Sequence, residues 1–160
     1  MKKKHILLAA AYLLILAGAC FAWEGRVVGV SDGDTLKILH DGRQERVRLW
    51  GCDAPESHQD FGQVAKKFTS SLVFGKTVSV DVMDTDRYGR TVAVVSVDGK
   101  CLNEALVASG MSWVYRTYCR KPQCAAWIEL EKNARASGIG LWAGKNPTPP
   151  WDFRRQQREH

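Results

Sequence analysis

"RVVGVSDGDTLKILHDGRQERVRLW", residues 26–50, decides the fold. Three β-patterned runs, RVVGVS, DTLKILH and ERVRLW, are separated by the dipeptides Asp32-Gly33 and Asp41-Gly42. Asp-Gly between alternating hydrophobic runs is the strongest short-range sign of a β-hairpin. In the third run Val47 and Leu49 fall on one face and Arg46 and Arg48 on the other, so Arg48 points away from the core side of its strand. The stretch therefore predicts three strands joined by two hairpin turns.

Downstream, "DFGQVAKKFTSSLVFG" (60–75) places Val64, Phe68 and Leu72 at i, i+4 and i+8 and ends at Gly75, which predicts an amphipathic helix. Two further strands follow, "TVSVDVMD" (77–84) and "RTVAVVSV" (90–97), joined through "TDRYG". "LNEALVASG" (102–110) reads as a short helix with Asn103 as N-cap, closing on Gly110. A last helix is expected from about Pro122 to Ser137, with Trp127, Leu130 and Ala134 on one stripe. The tail "KNPTPPWDFRRQQREH" (145–160) is proline-rich and then arginine-rich, and is expected to be extended with a mobile end. Five strands, with a helix after the third and helices after the fifth, predict a β-barrel with helices: an α+β chain of the five-stranded OB type with about three α-helices.

Upstream, residues 1–25 have three lysines, an apolar run from Ile6 to Ala19 and then small residues, the pattern of a secretory signal peptide. The run is shorter than the roughly 20 residues of a membrane-spanning helix. No stable membrane insertion is expected after cleavage, which is placed after Ala22. The alternative is lipid attachment at Cys20, since Ala17-Gly18-Ala19-Cys20 loosely resembles a lipoprotein processing site. Residues 23–144 then form one domain, followed by the tail. The leader's three lysines carry half of the formal charge of +6, leaving +3. Overall charge is thus a weak argument for a nucleic-acid partner, and the positions of the arginines must carry it.

Four cysteines remain beyond Cys20, an even number in an exported chain bound for the periplasm or the cell exterior. Cys119 and Cys124, five apart across a proline-containing turn, are expected to pair, which leaves Cys52 with Cys101. A four-cysteine zinc site would need C-x2-C knuckles, and these spacings lack them.

Three short stretches carry the chemistry: "SDGDT" (31–35), "RLWGCDAPES" (48–57) and "DRYGR" (86–90). Asp34, Asp53 and Glu56 are oxygen donors brought in by two loops, and oxygen is what hard cations such as calcium prefer. Arg48 and Arg90 are planar forks able to hold a phosphate through two hydrogen bonds. Phosphodiester hydrolysis builds negative charge on the phosphoryl oxygens in the transition state, which such arginines and a cation stabilise. Glu56 is the candidate to take a proton from the attacking water. Each stretch alone reads as an ordinary turn. Their joint occurrence in this order, each at a strand end, reads as one site.

With these residues in place, the chain resembles the staphylococcal nuclease, or thermonuclease-like, family over roughly Val27 to Trp142. The motifs that carry the resemblance are D-G-D-T, R-x-x-x-x-D-x-P-E and D-x-Y-G-R. The resemblance implies an OB-type barrel with three helices and calcium-dependent cleavage of single- and double-stranded DNA and RNA to 3′-phosphate ends. It further implies Asp34 and Asp53 as calcium carboxylates, the Ala54 carbonyl as a further ligand, Glu56 as general base, and Arg48 and Arg90 on the phosphate. Arg87 stands where the family commonly has lysine, near the nucleotide's terminal phosphate, and Tyr88 matches the tyrosine of that turn. Tyr115 and Tyr118 lie where the family places phosphate-binding and base-stacking tyrosines. The segment from Glu56 to Gly62 is shorter than the mobile loop of the best-known member. A binding module that had lost catalysis would show gaps among Asp34, Arg48, Asp53, Glu56 and Arg90, and there are none. The expected state is a monomer.

Overall fold

The computed structural model describes residues 22–159. The leader through residue 21, with Cys20, lies outside the described residues. The chain runs β1 (Ala22–Asp32), β2 (Thr35–His40), β3 (Arg43–Leu49), β4 (Cys52–Asp53), α1 (Gly62–Val73), β5 (Thr77–Thr85), β6 (Thr91–Val97), β7 (Lys100–Cys101), α2 (Leu102–Ala108), β8 (Trp113–Val114), α3 (Gln123–Ala136), a 3-10 turn (Gly140–Ala143) and α4 (Pro150–Arg158).

The five long strands follow the order β3-β2-β1-β5-β6, and a parallel pairing of β3 with β6 closes the barrel. The alternating residues of these strands fill it: Val27, Leu36, Ile38, Val47, Leu49, Val78, Val80, Ala93 and Val95 are all buried. β7 adds to β6, and β4 with β8 forms a separate two-stranded ribbon. The expected five-stranded OB-type barrel is the fold. No helix among the described residues is long and apolar enough to cross a membrane.

The second hairpin turn is as expected. Asp41 and Gly42 have φ of 47° and 74° and join His40 to Arg43 as a two-residue loop. The first turn is shifted by one residue: Asp32 pairs with Thr35, so Gly33-Asp34 is the loop. Gly33 serves close approach, since a Cβ there would lie 2.8 Å from Ala54 Cβ and 2.9 Å from Ala65 Cβ. That contact also explains a correction to α1. Its buried side is Gly62, Ala65, Thr69 and Val73, while Val64, expected on the core stripe, is 46% exposed. Small side chains let the helix approach the turn, where Thr69 Oγ1 donates to the Gly33 carbonyl at 2.6 Å.

Asn103 is not a cap, because Cys101 precedes α2 in that position. Asn103 is buried and bonds three backbone groups: it accepts from Val95 N–H (3.0 Å) and donates to the carbonyls of Trp50 (2.9 Å) and Ala93 (3.2 Å). Its amide pins α2 to the barrel end where β3 leaves. Asn103→Leu orphans the Val95 N–H and the Trp50 carbonyl, while the Ala93 carbonyl keeps the Trp50 N–H at 2.7 Å; the cost is about 3 kcal/mol, expected to lower the melting temperature by roughly 10 °C. An unchanged melt would show that these groups find other partners.

α3 lies close to its expected bounds, but its buried stripe is Cys124, Trp127, Glu131 and Ala134, with Leu130 only half-buried. Glu131 accepts from Val114 N–H (3.2 Å), Arg135 (3.1 Å) and Arg116 (3.5 Å), which satisfies a carboxylate inside the fold. Trp113 and Trp127 are core residues, and Trp142 is half-buried beneath the Arg135 guanidinium, 3.8 Å away.

Cys119 and Cys124 are bonded, with Cα atoms 5.6 Å apart. The expected Cys52–Cys101 bond is absent, and both are free thiols. An even count of cysteines carries no geometry, and burial raises both thiols above their ordinary pKa. The tail also departs from expectation. Past Pro149 it forms α4, with Pro150 in the first helical turn, where its fixed φ suits helix entry.

Candidate active site

The loops at one end of the barrel line a cleft of about 710 Å³ that holds Arg48, Glu56, Arg87, Tyr88, Arg90, Tyr115 and Tyr118. Asp34 and Asp53 are almost fully buried and bond to Arg48. Every residue expected at the site from the three motifs is therefore brought to one place.

The β2–β3 register puts Thr35 opposite Arg48, which sets Asp34 beside the guanidinium. Arg48 Nη2 donates to Asp34 Oδ2 (3.1 Å) and to Asp53 Oδ1 (2.5 Å). The N–H of Ala54 donates to Asp34 Oδ2 at 2.7 Å, and Thr35 Oγ1 to Oδ1 at 3.1 Å. One nitrogen thus spans carboxylates from two loops. Burial pushes the Asp34 carboxyl up from 3.8 to about 6; the Arg48 charge pulls down, the Asp53 charge adds to the rise, and the Ala54 N–H opposes it. Burial also works against the Arg48 charge, but Asp34 and Asp53 outweigh it and hold Arg48 above its ordinary pKa.

The raised Asp34 value has a stability consequence. Between about pH 4 and 6 the folded protein keeps a proton that the unfolded chain has released. This carboxyl's contribution is therefore full below that window and declines as pH rises through it. Asp34→Asn is expected to remove that decline and to melt a few degrees above the natural chain at pH 7 in a chelator, as read by melts at pH 4.5 and 7. A lower melt at pH 7 would show that the Arg48 pairing outweighs burial.

The β5–β6 turn is built around Asp86, which sequence reasoning left out of the site. Asp86 accepts from the backbone N–H groups of Tyr88 (2.9 Å) and Arg90 (3.0 Å) and from Arg90 Nε (2.7 Å), which aims the arginine. Tyr88 is 69% exposed; its hydroxyl accepts from Arg87 at 2.7 Å, and the Arg87 and Arg90 guanidiniums lie 4.8 and 5.6 Å from its ring centre. Tyr115 and Tyr118 meet edge to face at 4.8 Å. Their loop is tied at both ends, by Tyr115 N–H to the Gly51 carbonyl (2.9 Å) and by the Cys119–Cys124 bond.

Arg154, on α4, is a site residue that sequence reasoning missed. Its Nη1 donates to Asp53 Oδ1 (3.1 Å) and Glu56 Oε1 (2.7 Å), and its Nη2 to Asp53 Oδ2 (2.7 Å). Trp151 stacks on Tyr115, with rings 10° from parallel and 5.2 Å between centres. Phe153 packs on His58, and buried Gln59 holds the approach to α4 by donating to the Thr148 carbonyl at 2.7 Å. Proline in the first turn was a legible helix signal here, as it was for α3; the composition of the tail overrode it.

The donors around Arg48 are all oxygen, the set a hard divalent cation takes. The two guanidiniums show that these carboxylates are arranged to hold positive charge. Among the described residues no group of three or more His, Cys, Asp or Glu is arranged to hold a metal. An ion here would draw on Asp34, Asp53 and the Ala54 carbonyl, with water completing its shell.

The sequence model described as "Staphylococcal nuclease homologue" matches residues 46–144, a span that contains Arg48, Asp53, Glu56 and Arg90. The chain belongs to the staphylococcal nuclease family. This staphylococcal nuclease homologue is 40% identical over 161 residues to an "Uncharacterized endonuclease" of Haemophilus influenzae, covering 99% of this chain and 89% of that protein. It is also 40% identical to a "Micrococcal nuclease" of Shigella flexneri, covering 94% and 91%, and to "Protein ParB" of Escherichia coli, covering 98% and 96%. Membership of the family supports nuclease activity. The match to the family's model omits Asp34 and α4, so their place in the site rests on the geometry above.

Proposed function

We propose that this chain is an exported nuclease that depends on calcium and hydrolyses phosphodiester bonds of DNA and RNA, single- or double-stranded, leaving 3′-phosphate ends. The observation that carries the reading is the hydrogen-bonded convergence of Asp34, Arg48 and Asp53 beside Glu56, in a cleft shared with Arg90. The leader-like residues 1–22 and the Cys119–Cys124 bond support export. Residues 23–144 form the nuclease unit, acting as a monomer.

In this mechanism Arg48 and Arg90 hold the scissile phosphate through paired N–H donors and stabilise the charge that grows on its oxygens. Glu56 takes the proton of the attacking water. Hydroxide adds to phosphorus, the bond to the 5′-oxygen breaks, and that oxygen leaves with the electron pair and takes a proton from solvent water to become a hydroxyl, while Glu56 returns its proton to solvent. Tyr88, Tyr115 and Tyr118 offer hydroxyls and ring faces to phosphates and bases, and Arg87 offers charge to a terminal phosphate. Asp34, Asp53 and the Ala54 carbonyl would hold calcium, which supplies Lewis-acid polarisation of the phosphoryl group.

The test is digestion of single-stranded DNA and RNA in calcium and in a chelator, with analysis of product ends. Cleavage in calcium alone, leaving 3′-phosphates, is expected. A folded sample that binds but does not cut in calcium would make the barrel a binding module.

A further inference from the structure

Two features of the cleft that a nucleotide would use are already taken by the chain's own C-terminus. Arg154 grips both oxygens of Asp53, at 2.7 and 3.1 Å, and reaches Glu56 Oε1 at 2.7 Å. A forked guanidinium on a carboxylate is among the strongest side-chain contacts, and the carboxylate here is fully buried. Three residues earlier on the same helix, Trp151 lies flat on Tyr115, in the arrangement a nucleobase adopts on an aromatic ring.

Charge opposes sharing, since Arg154 already donates to both Asp53 oxygens. A divalent cation sits about 2.3–2.6 Å from its oxygen ligands. At Asp53 that position would press it against the positive guanidinium, with little water between to screen the repulsion. Arg48 and Arg154 together carry two positive charges against the three formal negatives of Asp34, Asp53 and Glu56. With Arg154 gone, Arg48 and one divalent cation balance the set. Apart from Arg154 the helix has few ties: of its residues only Pro150 is buried, Trp151 meets the rings of Tyr115 and Trp113, Phe153 packs on His58, and a 3.2 Å bond joins Gln157 to His58.

We infer that α4 is an intramolecular mimic of the site's own ligands, Trp151 standing for a base on Tyr115 and Arg154 for the cation at Asp53 and Glu56, so that calcium and nucleic acid bind as α4 departs. The inference rests on the calcium-nuclease reading above, and it adds an autoinhibited resting state to it. A site that is closed in most molecules binds with an apparent affinity reduced by the open fraction.

The experiment uses the full chain, Arg154→Ala and Trp151→Ala, with calcium binding read by calorimetry and the exposure of residues 150–158 read by hydrogen exchange. Calcium is expected to bind Arg154→Ala about tenfold more tightly than the natural chain, the value for a helix docked in nine molecules of ten. Calcium with a deoxydinucleotide should speed exchange across 150–158 in the natural chain. Trp151→Ala leaves every carboxylate in place and should tighten dinucleotide binding, which keeps the test open if Arg154→Ala folds poorly. Cleavage by the natural chain with unchanged or weakened calcium binding in Arg154→Ala overturns the mimic and keeps the nuclease. Tightened calcium binding without any cleavage does the reverse, and calcium binding to neither protein overturns both.

Discussion

Glu56→Gln is expected to lower phosphodiester turnover by roughly 10²–10⁴-fold, the range for loss of a positioned general base. The amide keeps the shape of the side chain and cannot take a proton from water at neutral pH. Folding should be spared, because the bonds that shape this loop do not use the Glu56 carboxylate: Gln59 N–H to the Glu56 carbonyl at 2.9 Å, and Glu56 N–H to Gln59 Oε1 at 3.2 Å. Binding of calcium and a dinucleotide should persist, since Asp34 and Asp53 are untouched. The measurement is single-turnover cleavage beside a binding titration. Near-natural turnover would remove Glu56 from the proton transfer and point to water or another group as base.

Arg90→Ala is expected to cost roughly 10³-fold or more in rate, the scale set by arginines that meet transition-state charge on a phosphoryl group. Its effect on stability should stay below about 1 kcal/mol, as for a partly exposed ion pair. The turn keeps its shape in the variant, because Asp86 still accepts from the backbone N–H groups of residues 88 and 90. Burial pushes the Asp86 carboxyl up, and these bonds with the Arg90 contacts outweigh that and hold it below its ordinary pKa. A rate assay beside a melting curve decides the matter, and a melt that falls in step with the rate would make Arg90 a structural residue. Arg48 is a poorer subject for the same question. Removing it leaves Asp34 and Asp53 buried with less positive charge, which is itself strongly destabilising.

The parts legible in the sequence are those set by local pattern. Alternation marked the strands, Asp41-Gly42 marked its turn, and the three motifs brought Asp34, Arg48, Asp53, Glu56 and Arg90 together because each ends a strand at the same end of the barrel. The misread parts depend on what packs against what. Gly33 looked like a turn glycine, yet it is glycine because Ala54 and Ala65 press on it. Val64 had the apolar character of a core residue, but α1 needs its small face inward. Asn103 had the chemistry of a cap and spends it on three distant backbone groups. Glu131 and Arg154 were invisible for the same reason, since a charged side chain turned inward can be inferred only from its partners.

The parallel closure of β3 on β6 bears on how this molecule comes into being. Val47 pairs with Thr91 and Leu49 with Ala93, across two intervening strands and a helix. Such a contact forms late, because the entropy of closing a long loop must be met before the pairing gives anything back. Arg48 lies in that seam, opposite Val92 and two residues from Arg90 in register, so Arg48 and Arg90 meet only when β3 has closed on β6. Before that closure the β2–β3 pair holds Asp34 and Arg48 together without Arg90. For the exported nuclease proposed above, a nascent chain would be harmless to the cell's own nucleic acid for a topological reason, independent of any contact made by α4.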